Sequence, residues 1–234
     1  NCKGVHARQT DTATSVAAGI QVNPETGTFK RCYVTGGEFS DCTSTKLFEG
    51  TLTSVGRGLY VADCRLTEVY GARFERVGPY HDGDGLVVGG DPTLRGSMVF
   101  IADDCTFVDC EKRSIKSQVG LTTIGTVYIE RTQAFPEPEI QRDVSLLEGG
   151  TVDHIVAKYA SGAVPGGVIT FIVSNSDGIH TSRCRVNGIT VSAENPNDSM
   201  DYPIRFALNE ANITLTNCGA SNINIGCKVR NVLS

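Results

Sequence analysis

Five of the chain's nine cysteines share one pattern of neighbours, and that pattern limits the fold more than any other feature. Two residues after Cys42, Cys64, Cys105, Cys184 and Cys218 stand Ser44, Leu66, Phe107, Val186 and Ala220. Five residues after them stand Leu47, Val69, Cys110, Ile189 and Ile223, and three before them stand Phe39, Val61, Ala102, Thr181 and Leu215. The residue just before each cysteine is polar: Asp41, Asp63, Asp104, Arg183 or Asn217. An alternating stretch, a bend and a second short stretch fit all the copies. Units this small cannot bury an apolar face alone, so they must stack on one another.

Composition selects the kind of stack. Twenty-six glycines, frequent Val, Ile and Thr, and no tryptophan suit short strands and turns. The best helical candidate, around Glu139 to Leu147, is short and follows two prolines. The expectation is therefore all-β: a single-stranded right-handed parallel β-helix, with residues 1–234 as one domain. Equivalent residues would stack about 4.8 Å apart, and the aligned cysteines would form an internal ladder of small apolar groups. Cysteines repeated at equivalent inward places, with no zinc-like spacing, predict mostly free thiols, and so assembly in a reducing cytoplasm. On the same alignment Phe39, Val61, Leu66, Val69, Phe107 and Cys110 should face inward.

A net charge of -5 argues against nucleic acid or an anionic membrane as partner. No apolar run approaches the roughly 18 residues that span a bilayer. The chain starts at Asn1 without a signal-peptide pattern, which reads as a core cut from a longer protein.

Register also places the stretch Y-H-D-G-D-G-L-V-V, Tyr80 to Val88. Phe74 and Val77 share the spacing of Phe107 and Cys110, so Asp82 and Asp84 should lie one coil from Glu111, Lys112 and Arg113 on an outer face. Asp-Gly pairs also make tight turns, because aspartate caps its own backbone and glycine accepts positive φ. Leu86 and Val88 should then turn inward.

D-G-D-G-L-V-V (Asp82–Val88), D-D-C-T-F-V-D-C (Asp103–Cys110) and K-R-S-I-K-S-Q (Lys112–Gln118) resemble bacteriophage tailspikes. These are pectate-lyase-like, right-handed β-helix proteins that bind, and usually depolymerise, bacterial surface polysaccharides. The resemblance implies a homotrimer on a virion tail, made in the bacterial cytoplasm and acting outside it. Asp82-Gly-Asp84-Gly matches only the start of a calcium loop and lacks its later ligands, so neither a metal nor a cofactor is expected, nor insertion into a membrane.

Glycoside hydrolysis commonly uses two carboxyl groups, about 5–5.5 Å apart for retention and about 6.5–9.5 Å for inversion. Asp82, Asp84 and Glu111 are the catalytic candidates for such a pair. Tyr80 and His81 suit sugar stacking and proton transfer, and Lys112, Arg113 and Lys116 suit an acidic sugar, or a base for β-elimination. Asp177 and His180, in S-N-S-D-G-I-H, repeat the corner chemistry and form a second binding candidate. The segments least like coil are Gln133–Gly150, Tyr159–Gly167 and Ala193–Pro203, the last carrying Tyr202. Loops inserted into a solenoid leave on one side and build its binding face. A polysaccharide lyase, or a receptor-binding coil without catalysis, are the alternatives.

Overall fold

The computed structural model describes residues 8–9, 17–23, 27–44, 47–48, 51–52, 56–78, 83–136, 138, 141–172, 183–207, 212–215, 218–221 and 224–225. Among them there is no α-helix; a 3-10 turn lies at Arg95–Ser97. The fold is all-β, built on two large parallel sheets. The seven-stranded sheet runs Ala17–Val22, Gly56–Ala62, Asp84–Gly89, Arg113–Ser117, Arg142–Leu146, Gly167–Ile172, Ile204–Ala207.

After each of these strands the chain crosses to the twelve-stranded sheet and back. That sheet holds two ladders side by side. One includes Leu66–Tyr70 and Val99–Asp103; the other includes Arg73–Val77 and Cys105–Cys110. They merge in the long strands Leu121–Arg131 and Gly150–Tyr159, which pair along most of their length.

Between the sheets lies a continuous apolar core. Phe39, Phe74 and Phe107 stack in register with centroids 4.8 and 4.9 Å apart. Ring stacking at the strand repeat adds to burial itself. Phe39, Val61, Val69, Phe107 and Cys110 are buried as the cysteine register expected. Leu66 is not. It is partly exposed and pairs with Val99, while Thr67 takes the inward place at 0% exposure.

The cysteines do not form one ladder. Cys105 stacks on Val127, and Cys218 on Ile189, within the second ladder. Cys184 pairs with Gly150 and Ile213 in the first. Cys64 bridges Phe29, and Cys42 follows the strand that pairs Ser40 with Glu75. What Cys42, Cys64 and Cys105 share is local: the aspartate before each has φ of 53, 51 and 53°. Aspartate tolerates this left-handed conformation better than most residues. The pair Asp-Cys thus marks a corner with an inward residue after it, and it is used at three different corners. Arg76 and Asp109, also at positive φ, do the same before Val77 and Cys110.

These aspartates also staple neighbouring strands. Asp63 Oδ1 accepts the Asp91 N–H at 2.6 Å, and Asp109 accepts the Thr132 N–H at 2.7 Å and its hydroxyl at 2.6 Å. The described cysteines Cys32, Cys42, Cys64, Cys105, Cys110 and Cys184 are free thiols, although the single ladder on which that expectation rested is not formed. The helical candidate is overturned: Arg142–Leu146 is a strand held by pairing Val144 with Ile115 and Ile169.

Candidate functional site

The D-G-D-G corner lies against the next strand as its register foretold: Asp84 pairs with Arg113, and Leu86 with Ile115. Leu86 and Val88 face the core, at 0% and 1% exposure. The glycines serve close approach and not positive φ, which neither adopts. A Cβ on Gly83 would stand 2.1 Å from the Val77 carbonyl oxygen; one on Gly85 would stand 2.8 Å from that of Ser114.

Charge here differs from the expected exposed cluster. Asp84 is 1% exposed and accepts from Arg113 Nε at 2.6 Å, so it is sealed in an ion pair. Glu111 is buried as well. Lys112 and Arg113 donate backbone N–H groups to Gly83 O at 2.9 and 3.1 Å, while Lys116 stands half-buried on the outer side of its strand. Asp82, Tyr80, His81, Asp177 and His180 lie outside the described residues.

One corner gathers the loops. The segments from Thr132, from Ala160 and from Glu194 all leave where the twelve-stranded sheet hands over to the seven-stranded one. They bind each other: Gly166 N–H donates to Pro138 O at 2.6 Å, and Gly162 N–H to Asp198 Oδ2 at 2.7 Å. Ser161 N–H donates to Glu194 Oε2 at 3.3 Å. Beside them opens a cleft of roughly 530 Å³, lined by Glu130, Thr132, Lys158, Ala160, Ser192 and Glu194 among others.

Beneath the loops lies a polar network in the core that the sequence reading missed. Arg131, 1% exposed, donates Nε to Asp143, 0% exposed, at 2.9 Å, while Nη2 lies 2.8 Å from the same oxygen without forming a hydrogen bond. Its Nη1 donates to Gln141 Oε1 at 2.8 Å and to Glu111 O at 2.9 Å. Gln141 Nε2 in turn donates to Pro136 O at 2.6 Å, inside the first loop. Tyr159 donates its hydroxyl to Asp143, and burial together with that carboxylate pushes the phenol well above its ordinary pKa. Buried charges need this degree of satisfaction to be tolerated. The available signal was an aspartate inside an apolar strand, Asp143 in R-D-V-S-L-L, with one arginine within strand reach.

The chain matches no family model, no curated protein and no solved structure. Two groups of polar residues flank the loop cluster: the cleft carboxylates with Lys158 on one side, and Arg142, Tyr202 and Arg205 on the other.

Proposed function

We propose that the two sheets are walls of one right-handed parallel β-helix, and that the chain is tailspike-like, binding and cleaving a bacterial surface polysaccharide. The supporting observation is the gathering of three successive loops at one corner, beside a cleft that crosses several stacked strands. A linear polymer is the ligand such a stack suits, because its repeats meet repeating side chains.

Within this reading the acids of the cleft are Glu130 and Glu194, both exposed. They stand two ladder steps and two residues apart, which sets their backbones roughly 12 Å from each other. Flexible glutamates reaching toward a bound chain close that to the 6.5–9.5 Å or so of an inverting pair. Lys158 sits between them in register with Glu130 and Ser192. Asp84 and Glu111, proposed from sequence as catalytic, serve in their buried places as scaffold, and Asp82 keeps its candidacy. The outward ladder Leu66, Val99, Leu121, with Leu121 54% exposed, suits contact between copies of a homotrimer on a virion tail.

Burial of Asp84 and Glu111 favours one other reading, a receptor-binding coil without catalysis. Digestion of purified capsular or O-antigen polysaccharide separates them. Cleavage is expected to give short oligosaccharides without the ultraviolet absorbance of an unsaturated uronate. Glu130→Gln or Glu194→Gln should lower turnover by orders of magnitude with the melt unchanged. New absorbance would instead mean a lyase, and absence of shortening a binding protein.

A further inference from the structure

The outer side of the seven-stranded sheet carries two ladders of unusual charge. One runs Arg57, Asp84, Arg113, with Arg142 following two residues before Val144. The other runs Tyr60, Val87, Lys116, Ser145, Thr170, Arg205. Arg113 and Arg142, neighbours at strand spacing, repel unless a counter-charge lies beside them. Asp84 supplies that for Arg113 at one end. At the other end, among the described residues, no salt bridge joins Arg142 or Arg205 to a carboxylate.

Instead both guanidinium groups lie over one ring, with Arg142 4.7 Å and Arg205 5.7 Å from the Tyr202 centroid. The Tyr202 hydroxyl accepts from both. Between Lys116 and Arg205 the ladder dips to Ser145 and Thr170, each 4% exposed, and Thr170 Oγ1 is buried without a partner. Lys116, Arg142 and Arg205 thus form a cationic stripe on this face, with small buried residues between them.

We propose that this cationic stripe binds an anionic glycan, a chain bearing carboxylate or sulfate groups at regular intervals. The inference deepens the polysaccharide reading and rests on it for the sugar chemistry. The cations supply charge-assisted contacts, Arg142 and Arg205 offering planar forks suited to such oxyanions. A nucleic acid fits less well: the whole chain is at -5, and Tyr202 is engaged by two guanidinium groups rather than open to a base.

Affinity electrophoresis in gels containing polygalacturonate, dextran sulfate or neutral dextran tests the site. Retardation by either acidic polymer, weakening as salt is raised, is expected, and the stronger of the two identifies carboxylate or sulfate as the preferred group. The double variant Arg142→Gln, Arg205→Gln should bind at least tenfold more weakly with its melting unchanged. If it unfolds, the pair Lys116→Gln, Arg205→Gln takes its place with the same expected loss. The proposal is overturned by absence of retardation in both acidic gels, by equal retardation in neutral dextran, by tighter binding to single-stranded DNA, or by wild-type affinity in the folded variant. Cleavage lost in Glu130→Gln with retardation intact would leave this site standing. Cleavage intact with no retardation would sink this site alone.

Discussion

Two Asp–Arg pairs sit at the same corner of successive passes of the chain, on opposite sides of the wall. Asp84 opens its strand facing outward and pairs with Arg113, whose side chain is 17% exposed. Asp143 comes one place later in its strand, beside Arg142, and faces inward to Arg131 at 1% exposure. The inward place is held by Gly85 and Ser114 in the preceding strands. A shift of one residue exchanges the faces of a strand. Here it turns a sealed surface pair into a core network that ties strand, corner and first loop together.

Removal of Asp143 should therefore expose the contrast most strongly. Asp143→Asn leaves the Arg131 charge buried against Gln141, Glu111 O and a neutral amide, and is expected to lower stability by about 3–5 kcal/mol. Urea unfolding measures this, and the loop at Pro136 should become more open to proteolysis in the same variant. Equality with Asp84→Asn would break the distinction between the pairs.

Asp84→Asn is the middle case. Arg113 retains some access to water, so a loss of about 1.5–3 kcal/mol is expected from the charge-assisted bonds. The same urea series reads it. A loss matching that of Asp143→Asn would mean that Arg113 is as dependent on its partner as Arg131.

The smallest effect comes from pH and tests the interior without mutation. Burial pushes the Cys105 thiol up to about 11 from its ordinary 9.0, and Cys184 likewise. Because the folded pKa is the higher, stability is full below pH 9 and falls as pH rises toward 11, where only the unfolded chain ionises freely. Cys105 should contribute a loss of about 1 kcal/mol at pH 10. Thermal melts from pH 8 to 11 measure the decline, and Cys105→Ser should flatten part of it. A melting temperature constant over that range would show that the thiols are not sealed in.

Much of the fold was legible because stacking repeats a local pattern. Phe74 over Phe107 and Asp84 beside Arg113 were both set by spacing alone. The cysteine ladder was misread for an equally physical reason. Asp-Cys reports a local conformation, positive φ then an inward side chain, and the chain uses it at several different corners. Leu66 was misplaced by the same alignment, since Cys64 stands at a different corner from Cys105.

Strand periodicity, a property of short segments, made the β class and the neighbours of the D-G-D-G corner legible in the chain alone. Only the tertiary structure decided which charges are buried. Arg131, Gln141, Asp143 and Tyr159 come from different strands and a loop, and their pairing depends on which corner each reaches. It also decided that Arg142, Tyr202 and Arg205 meet on one outer face, because that requires a loop to fold back across two passes of the chain. Spacing along a chain sets what stacks directly above; contacts across a corner depend on loop paths that periodicity does not encode.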